Sequence, residues 1–219
     1  MPDDQLTSSS GVYLWYAAFG SNLSRARFEK YLKGGSAELA SHSLEPGARD
    51  DSDPIAETTM TAHHELYFAW EAQKWDGGGV AFLSPSPSVA ATTCRLYKIT
   101  IEQFEDVHAQ ETGMSEPAVL DVDELVAKGS LLQYDRLYGL ALHLGTHEDG
   151  HPIVTLTTER TDLKPNSPSL GYATTIAKGL LECTMLTPSQ VVDYVIATRG
   201  VDERLDRSEL LSAASHRPT

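Results

Sequence analysis

Two stretches of this 219-residue sequence carry side chains able to do chemistry. The first is Phe19-Gly20-Ser21-Asn22-Leu23. Gly20 lets a ligand approach the backbone closely, and Ser21 and Asn22 add side-chain donors. If a strand ends here and a helix begins, several backbone N–H groups lack partners, and the helix start favours an anion such as a carboxylate. The same residues also suit a capped strand–turn–helix without a ligand. The second is a carboxylate, Glu111. On the helix expected after Thr100, Ile101, Phe104 and Val107 form an apolar stripe that four more residues extend to Glu111. A carboxyl group facing a core has its ionised form disfavoured, the perturbation that a general base working near neutral pH requires. Glu102 and Glu105 fall off the stripe and read as surface acids. The alternative is a helix that stops before Glu111, because Thr112 and Gly113 follow at once.

A third pattern competes. His147-Glu148-Asp149-Gly150-His151 matches the His-Glu-x-x-His zinc-protease motif. That motif works only on a helix, which puts both imidazoles on one face, whereas Asp149-Gly150 is a turn dipeptide and Pro152 follows. A polar hairpin is therefore expected, with no metal. There is no Gly-x-Ser-x-Gly elbow and no Gly-x-x-x-x-Gly-Lys loop. Trp70, Trp75 and Gly77-Gly78-Gly79 read first as a sheet edge with a tight turn and second as a pocket rim. Cys94 and Cys183 lie in apolar stretches and read as reduced and buried.

The elements that must position these groups follow from pattern. Val12 to Phe19 is an aromatic-rich apolar run between Gly11 and Gly20, a strand buried on both faces. Asn22 or Ser24 can cap a helix to about Lys33. Leu66 to Glu71, Gly79 to Leu83, Cys94 to Ile99, Leu137 to Leu144 and Ile153 to Thr158 read as strands. Thr100 with Gln103 forms a capping box, Ser167-Pro168-Ser169 opens a helix to about Glu182, and Thr187-Pro188 opens another that closes at Gly200. The fold class is α+β: a mixed, mainly antiparallel sheet or small barrel flanked by helices. Residues 1–10 read as a tail, 11–201 as the domain with an inserted loop about 36–63, and 202–219 as a polar, frayed tail.

The 17 basic and 31 acidic residues give a formal charge of −14, which repels a phosphate backbone. The basic cluster Arg25, Arg27, Lys30 and Lys33 reads as a solvated helix face. The longest apolar run has eight residues, short of the ~20 a spanning helix needs. The first ten residues hold no Lys or Arg, unlike a secretory leader. A cytoplasmic protein with no nucleic-acid or membrane partner is expected.

Together these residues resemble the gamma-glutamylcyclotransferase-like family. Its Tyr-Gly-Ser-Asn motif after a hydrophobic strand is similar to Ala18-Phe19-Gly20-Ser21-Asn22-Leu23, with Phe19 for the tyrosine. Its Leu-Asp-x-x-Glu-Gly pattern is similar to Val107-His108-Ala109-Gln110-Glu111, with His108 for the aspartate and Thr112 between Glu111 and Gly113. Its Pro-Ser-x-x-Tyr helix start resembles Pro168-Ser169-Leu170-Gly171-Tyr172, followed by Ile176 and Gly179. The resemblance implies cyclisation of a small gamma-glutamyl compound to 5-oxoproline with release of an amine or amino acid. It implies neither cofactor nor metal. Glu111 would move the protons, Phe19, Gly20, Ser21, Asn22 and Leu23 would hold the glutamyl headgroup, and Tyr172 would line the pocket. The departures at Phe19, His108 and Thr112 also suit a ligand-binding relative that has lost the cyclisation; a zinc hydrolase is the remote third reading.

Overall fold

The computed structural model describes residues 13–36 and 44–216, so the N-terminal tail lies outside the described residues. In chain order the elements are β1 (Tyr13–Ala18), a 3₁₀ turn (Ser21–Leu23), α1 (Arg25–Lys33), β2 (Gly35–Ser36), β3 (Leu44–Glu45), β4 (Ala56–Ala69), a 3₁₀ turn (Gln73–Trp75), β5 (Val80–Thr100) and α2 (Ile101–Thr112). Then follow α3 (Val122–Lys128), β6 (Ser130–Leu132), β7 (Leu140–Thr146), β8 (Pro152–Thr157), α4 (Leu170–Cys183), α5 (Pro188–Ile196) and α6 (Arg207–Ser215). Six strands form one open sheet in the order β4-β5-β1-β8-β7-β6, and β2 and β3 form a separate ribbon. The sheet is not closed into a barrel. All of its pairings are antiparallel except β1 with β8.

β1 lies inside this sheet, and its period-2 alternation serves two cores. Trp15 and Ala17 face the cluster shared with α4, α5 and α6, as does Phe19 beyond the strand end. Leu14, Tyr16 and Ala18 face the cluster shared with α1 and α2. Burial on both faces explains why the run is apolar without a break.

Thr100 and Gln103 form the capping box at the head of α2, and Thr187 and Gln190 form the one at the head of α5. Ser169 caps α4 by accepting from the Tyr172 N–H at 3.3 Å. α5 ends at Ile196, short of Gly200.

Several expectations are corrected. The inserted segment is loop over less of its length than 36–63: residues 37–43 lie outside the described residues, and β4 begins at Ala56. The first half of β4 is mostly exposed and takes its hydrogen bonds from β5, so it shows no apolar period. The polar C-terminal segment contains α6, capped by Asp206 and anchored by buried Leu210 and Ala214. Cys94 is buried, but Cys183 is only half-buried; both are free thiols. The basic cluster is a solvated face only in part: Lys33 is exposed, and Arg27 is drawn inward. Arg27 is 5% exposed and bonds Glu45 at 2.8 Å, Arg25 pairs with Glu29, Asp53 and Glu57, and Lys33 meets Asp53 at 2.8 Å. Among the described residues no helix is long and apolar enough to cross a membrane.

Residues 147–151 connect β7 to β8, with Gly150 at φ 84° in the turn. Asp149 anchors this connection. Its carboxylate accepts from Trp15 Nε1 at 3.1 Å, and lies 2.8 Å from Lys98 Nζ and 3.0 Å from His147 Nδ1. Among the described residues no group of three or more His, Cys, Asp or Glu side chains is placed to hold a metal ion. Desolvation alone would raise the Asp149 carboxyl, but Lys98, Trp15 and the histidine segment hold it far below the usual carboxylate range. A depressed folded value contributes stability that is present above the unfolded value of ~3.9 and lost as pH falls below it. Asp149→Asn is therefore expected to lower stability by about 1–2 kcal/mol at pH 7 and to matter progressively less below pH ~4 in denaturant melts.

Candidate active site

The end of β1, the 3₁₀ turn, the end of α2 and the start of α4 converge on a cavity of about 370 Å³. Phe19, Gly20, Ser21, Asn22, Glu111 and Tyr172 all line it. Leu23 does not. The 3₁₀ turn rotates it into the core, where it is fully buried, and its carbonyl accepts from Arg95 Nη1 at 2.8 Å. α2 runs through Thr112, so Glu111 lies within its last turn, and Gly113 closes the helix at φ 68°.

Asn22 and Glu111, 89 residues apart in sequence, meet directly: Asn22 Nδ2 donates to Glu111 Oε1 at 3.0 Å. A carboxylate can only accept, so this contact fixes the orientation of the amide. The same nitrogen donates to the Tyr16 hydroxyl at 3.1 Å. Asn22 is 4% exposed, and its Oδ1 has no hydrogen-bond partner among the described residues. The Tyr31 hydroxyl, whose titration Glu111 raises, accepts from Arg27 Nη2 at 2.9 Å, while Arg27 reaches Glu45. A buried Glu45–Arg27–Tyr31 chain thus lies next to Glu111.

Tyr172 faces the Gly-Ser-Asn segment. Its hydroxyl accepts from the Ala81 N–H at 3.1 Å. A Cβ on Gly20 would lie 3.0 Å from that oxygen, which is why no larger residue fits without moving Tyr172. Burial, with Glu111 adding to it and the Ala81 N–H opposing, pushes the Tyr172 hydroxyl up to about 12. Burial and then Glu111 also raise Tyr16 and Tyr31. These phenols stay protonated at neutral pH. Tyr16 and Tyr172 both accept protein N–H groups, which leaves each O–H to donate.

Tyr16, Tyr31 and Tyr138 were not singled out in the sequence, and Arg27 was read there only as part of a solvated helix face. Tyr16 had a signal, since strand alternation puts it two residues before Ala18 on one face; the others are brought in by long-range packing. Trp70 and Trp75 line the cavity, so the pocket-rim reading holds for them, while Gly77-Gly78-Gly79 lie in the turn from edge strand β4 into β5, as the first reading had it. Glu105 is no surface acid. It is 9% exposed, accepts from the Leu120 N–H at 2.9 Å and contacts Arg49. The segment around residues 50–52 covers that side of α2, where Gln103 Nε2 donates to the carbonyls of Asp50 and Ser52.

His108, one turn before Glu111, is fully buried between Gln133 Oε1 and the Tyr138 carbonyl, both at 2.9 Å, and ties α2 to the β6–β7 connection. Burial lowers it to about 4 against those two bonds. The unfolded chain binds this proton at ~6.5 and the folded chain does not, so this site makes stability fall as pH drops from ~6.5 toward 4. Urea melts should show a lower midpoint at pH 5 than at pH 7, and His108→Gln should shrink that difference.

No family model matches the chain. It is 33% identical over 202 residues to a protein named histone deacetylase 5 from Arabidopsis thaliana, an alignment covering 84% of this chain. The chain spans 30% of the length of that relative. Among solved structures, it is similar to gamma-glutamyl cyclotransferase, with a TM-score of 0.47 and 15% identity over 91% of this chain and 98% of that one. It is similar to the same degree, TM-score 0.47 and 16% identity over the same shares, to an uncharacterized protein from Homo sapiens.

Proposed function

We propose that the chain is a gamma-glutamylcyclotransferase-like enzyme that closes a small gamma-glutamyl compound to 5-oxoproline. The observation that carries this reading is the Asn22–Glu111 contact at the cavity wall, which joins the two stretches whose chemistry is complementary to an amino-acid headgroup. Glu111 and the unpartnered Asn22 Oδ1 form an acceptor pair for an α-ammonium. Ser21 and the Tyr16 and Tyr172 hydroxyls offer donors for a carboxylate or a developing oxyanion.

In the reaction, Glu111 takes a proton from the substrate ammonium. The freed amine attacks the γ-carbonyl carbon, forming the ring C–N bond. Glu111 returns that proton to the leaving nitrogen, the γ-amide C–N bond breaks, and the ring nitrogen gives up its second proton by the same carboxylate to the departing amine, which leaves as an ammonium. Nucleophile and electrophile share one molecule, so the protein's task is to hold the folded conformer and move the proton. Arg27, acting through Tyr31, keeps positive charge behind the carboxylate as it cycles. The substrate is thus a small molecule, and the reaction uses this chain's own groups.

The test is incubation with gamma-glutamyl amines, amino acids and peptides, following 5-oxoproline by chromatography. Enzyme-dependent 5-oxoproline from at least one compound is expected. Binding with no product from any of them would favour the ligand-binding alternative.

A further inference from the structure

We infer that Trp70 is a specificity-determining residue whose indole receives the leaving group and selects amines that carry a flat, uncharged side chain. This deepens the gamma-glutamyl reading and rests on it. Trp70 has φ 69°, a left-handed backbone conformation that bulky residues rarely adopt. Its surroundings hold it there. Asn166 Nδ2 donates to the Trp70 carbonyl at 2.7 Å and to the Gly77 carbonyl at 2.9 Å, and Arg204 Nη2 holds Asn166 Oδ1 at 3.0 Å. The Trp70 N–H donates to the Lys164 carbonyl at 3.1 Å. Farther round the turn, Trp75 is buried against Tyr172, and Gly79 packs on Asn166 too closely for any side chain. Strain held in this way concentrates at ligand clamps. Yet the residue whose backbone is fixed in this way is 41% exposed, which packing alone does not call for.

Its place supplies the reason. Trp70 and Glu71 line both the Glu111 cavity and an adjoining one of about 640 Å³. With the glutamyl headgroup at Glu111 and Asn22, the chain beyond the γ-amide nitrogen leaves past Trp70. The Arg160 guanidinium lies 5.5 Å from the indole centroid and disfavours a second cation there. Around it, Glu71 lies with Lys74 on the first cavity and Asp162 with Lys164 on the second, so an added anion meets carboxylates as well as ammonium groups. A flat neutral group stacks on the indole without either penalty.

The experiment measures kcat and KM for gamma-glutamyl-phenylalanine, gamma-glutamyl-glycine and gamma-glutamyl-lysine on the wild type, Trp70→Phe and Trp70→Ala. The wild type should prefer the phenylalanine compound to the other two by about tenfold or more in kcat/KM. Trp70→Ala should bring that ratio near one through KM, and Trp70→Phe should keep most of it. A second readout is stability: Trp70→Gly should melt higher than Trp70→Ala, because glycine adopts the positive φ freely. Product formation with a ratio that does not respond to Trp70, or a wild-type preference for the lysine compound, overturns this inference alone. No 5-oxoproline from any compound overturns the gamma-glutamyl reading and this inference with it.

Discussion

Glu111→Gln should lower the rate of 5-oxoproline formation by about 10³–10⁴-fold, while substrate affinity changes only a fewfold. A positioned acid–base group contributes ~10²–10⁴-fold, and here one carboxylate serves both the attacking and the leaving nitrogen, which places the loss at the upper end. Glutamine keeps the shape of Glu111: its amide oxygen can still accept from Asn22 while its NH2 faces the Tyr31 hydroxyl oxygen, so the cavity should survive the change. Single-turnover rates and equilibrium binding, measured on the same preparation, separate the two effects. Two neighbours on α2 are the controls. Glu102 is half-exposed, and Glu102→Gln should be close to neutral in rate and stability. Glu105→Gln should lower stability by about 1–2 kcal/mol, since the Leu120 N–H and Arg49 then lose a charged acceptor, with little effect on rate.

Gly179→Ala should be among the most destabilising single substitutions in the chain, at about 3 kcal/mol, and should cost activity as well. Gly179 lies on α4 where the helix presses on the 3₁₀ turn, and a Cβ there would overlap the backbone of Leu23 and Ser24. Relief requires moving either α4, which carries Tyr172, or the segment that carries Ser21 and Asn22. Gly171→Ala on the same helix is the contrast. A Cβ there meets nothing within 4 Å, so removing a helical glycine should stabilise by about 0.5–1 kcal/mol. Chemical denaturation of the two variants checks both signs.

What the sequence disclosed and what it hid divide along a physical line. β1 and the break after it were legible because a strand buried on both faces must be apolar throughout and the glycines bound it. The heads of α2, α4 and α5 were legible because caps are local: each needs one side chain and an N–H two or three residues away. The first half of β4 was hidden because its stabilisation is backbone pairing with β5, which imposes no apolar period on an exposed ribbon. Arg27 was misread for the opposite reason: its burial depends on Glu45 and Tyr31, and no local pattern announces a guanidinium drawn inward. The approach of Asn22 to Glu111 across 89 residues is likewise a product of the sheet order. In the candidate site, then, the individual residues were readable from type and spacing. Their bracing by Tyr16, Tyr31 and Arg27, and the wall formed by Trp70, belong to tertiary packing.

Cyclisation requires that the substrate's own amine, not water, attack the γ-carbonyl. The most direct measurement is turnover of a gamma-glutamyl compound in ¹⁸O-enriched water, with products read by mass spectrometry. Cyclisation breaks the γ-amide bond without water, so unlabelled 5-oxoproline and a free amine are expected, formed by the wild type and almost abolished in Glu111→Gln. Glutamate carrying one ¹⁸O in its γ-carboxylate would mean that water is the nucleophile and that the enzyme is a hydrolase, not a cyclotransferase.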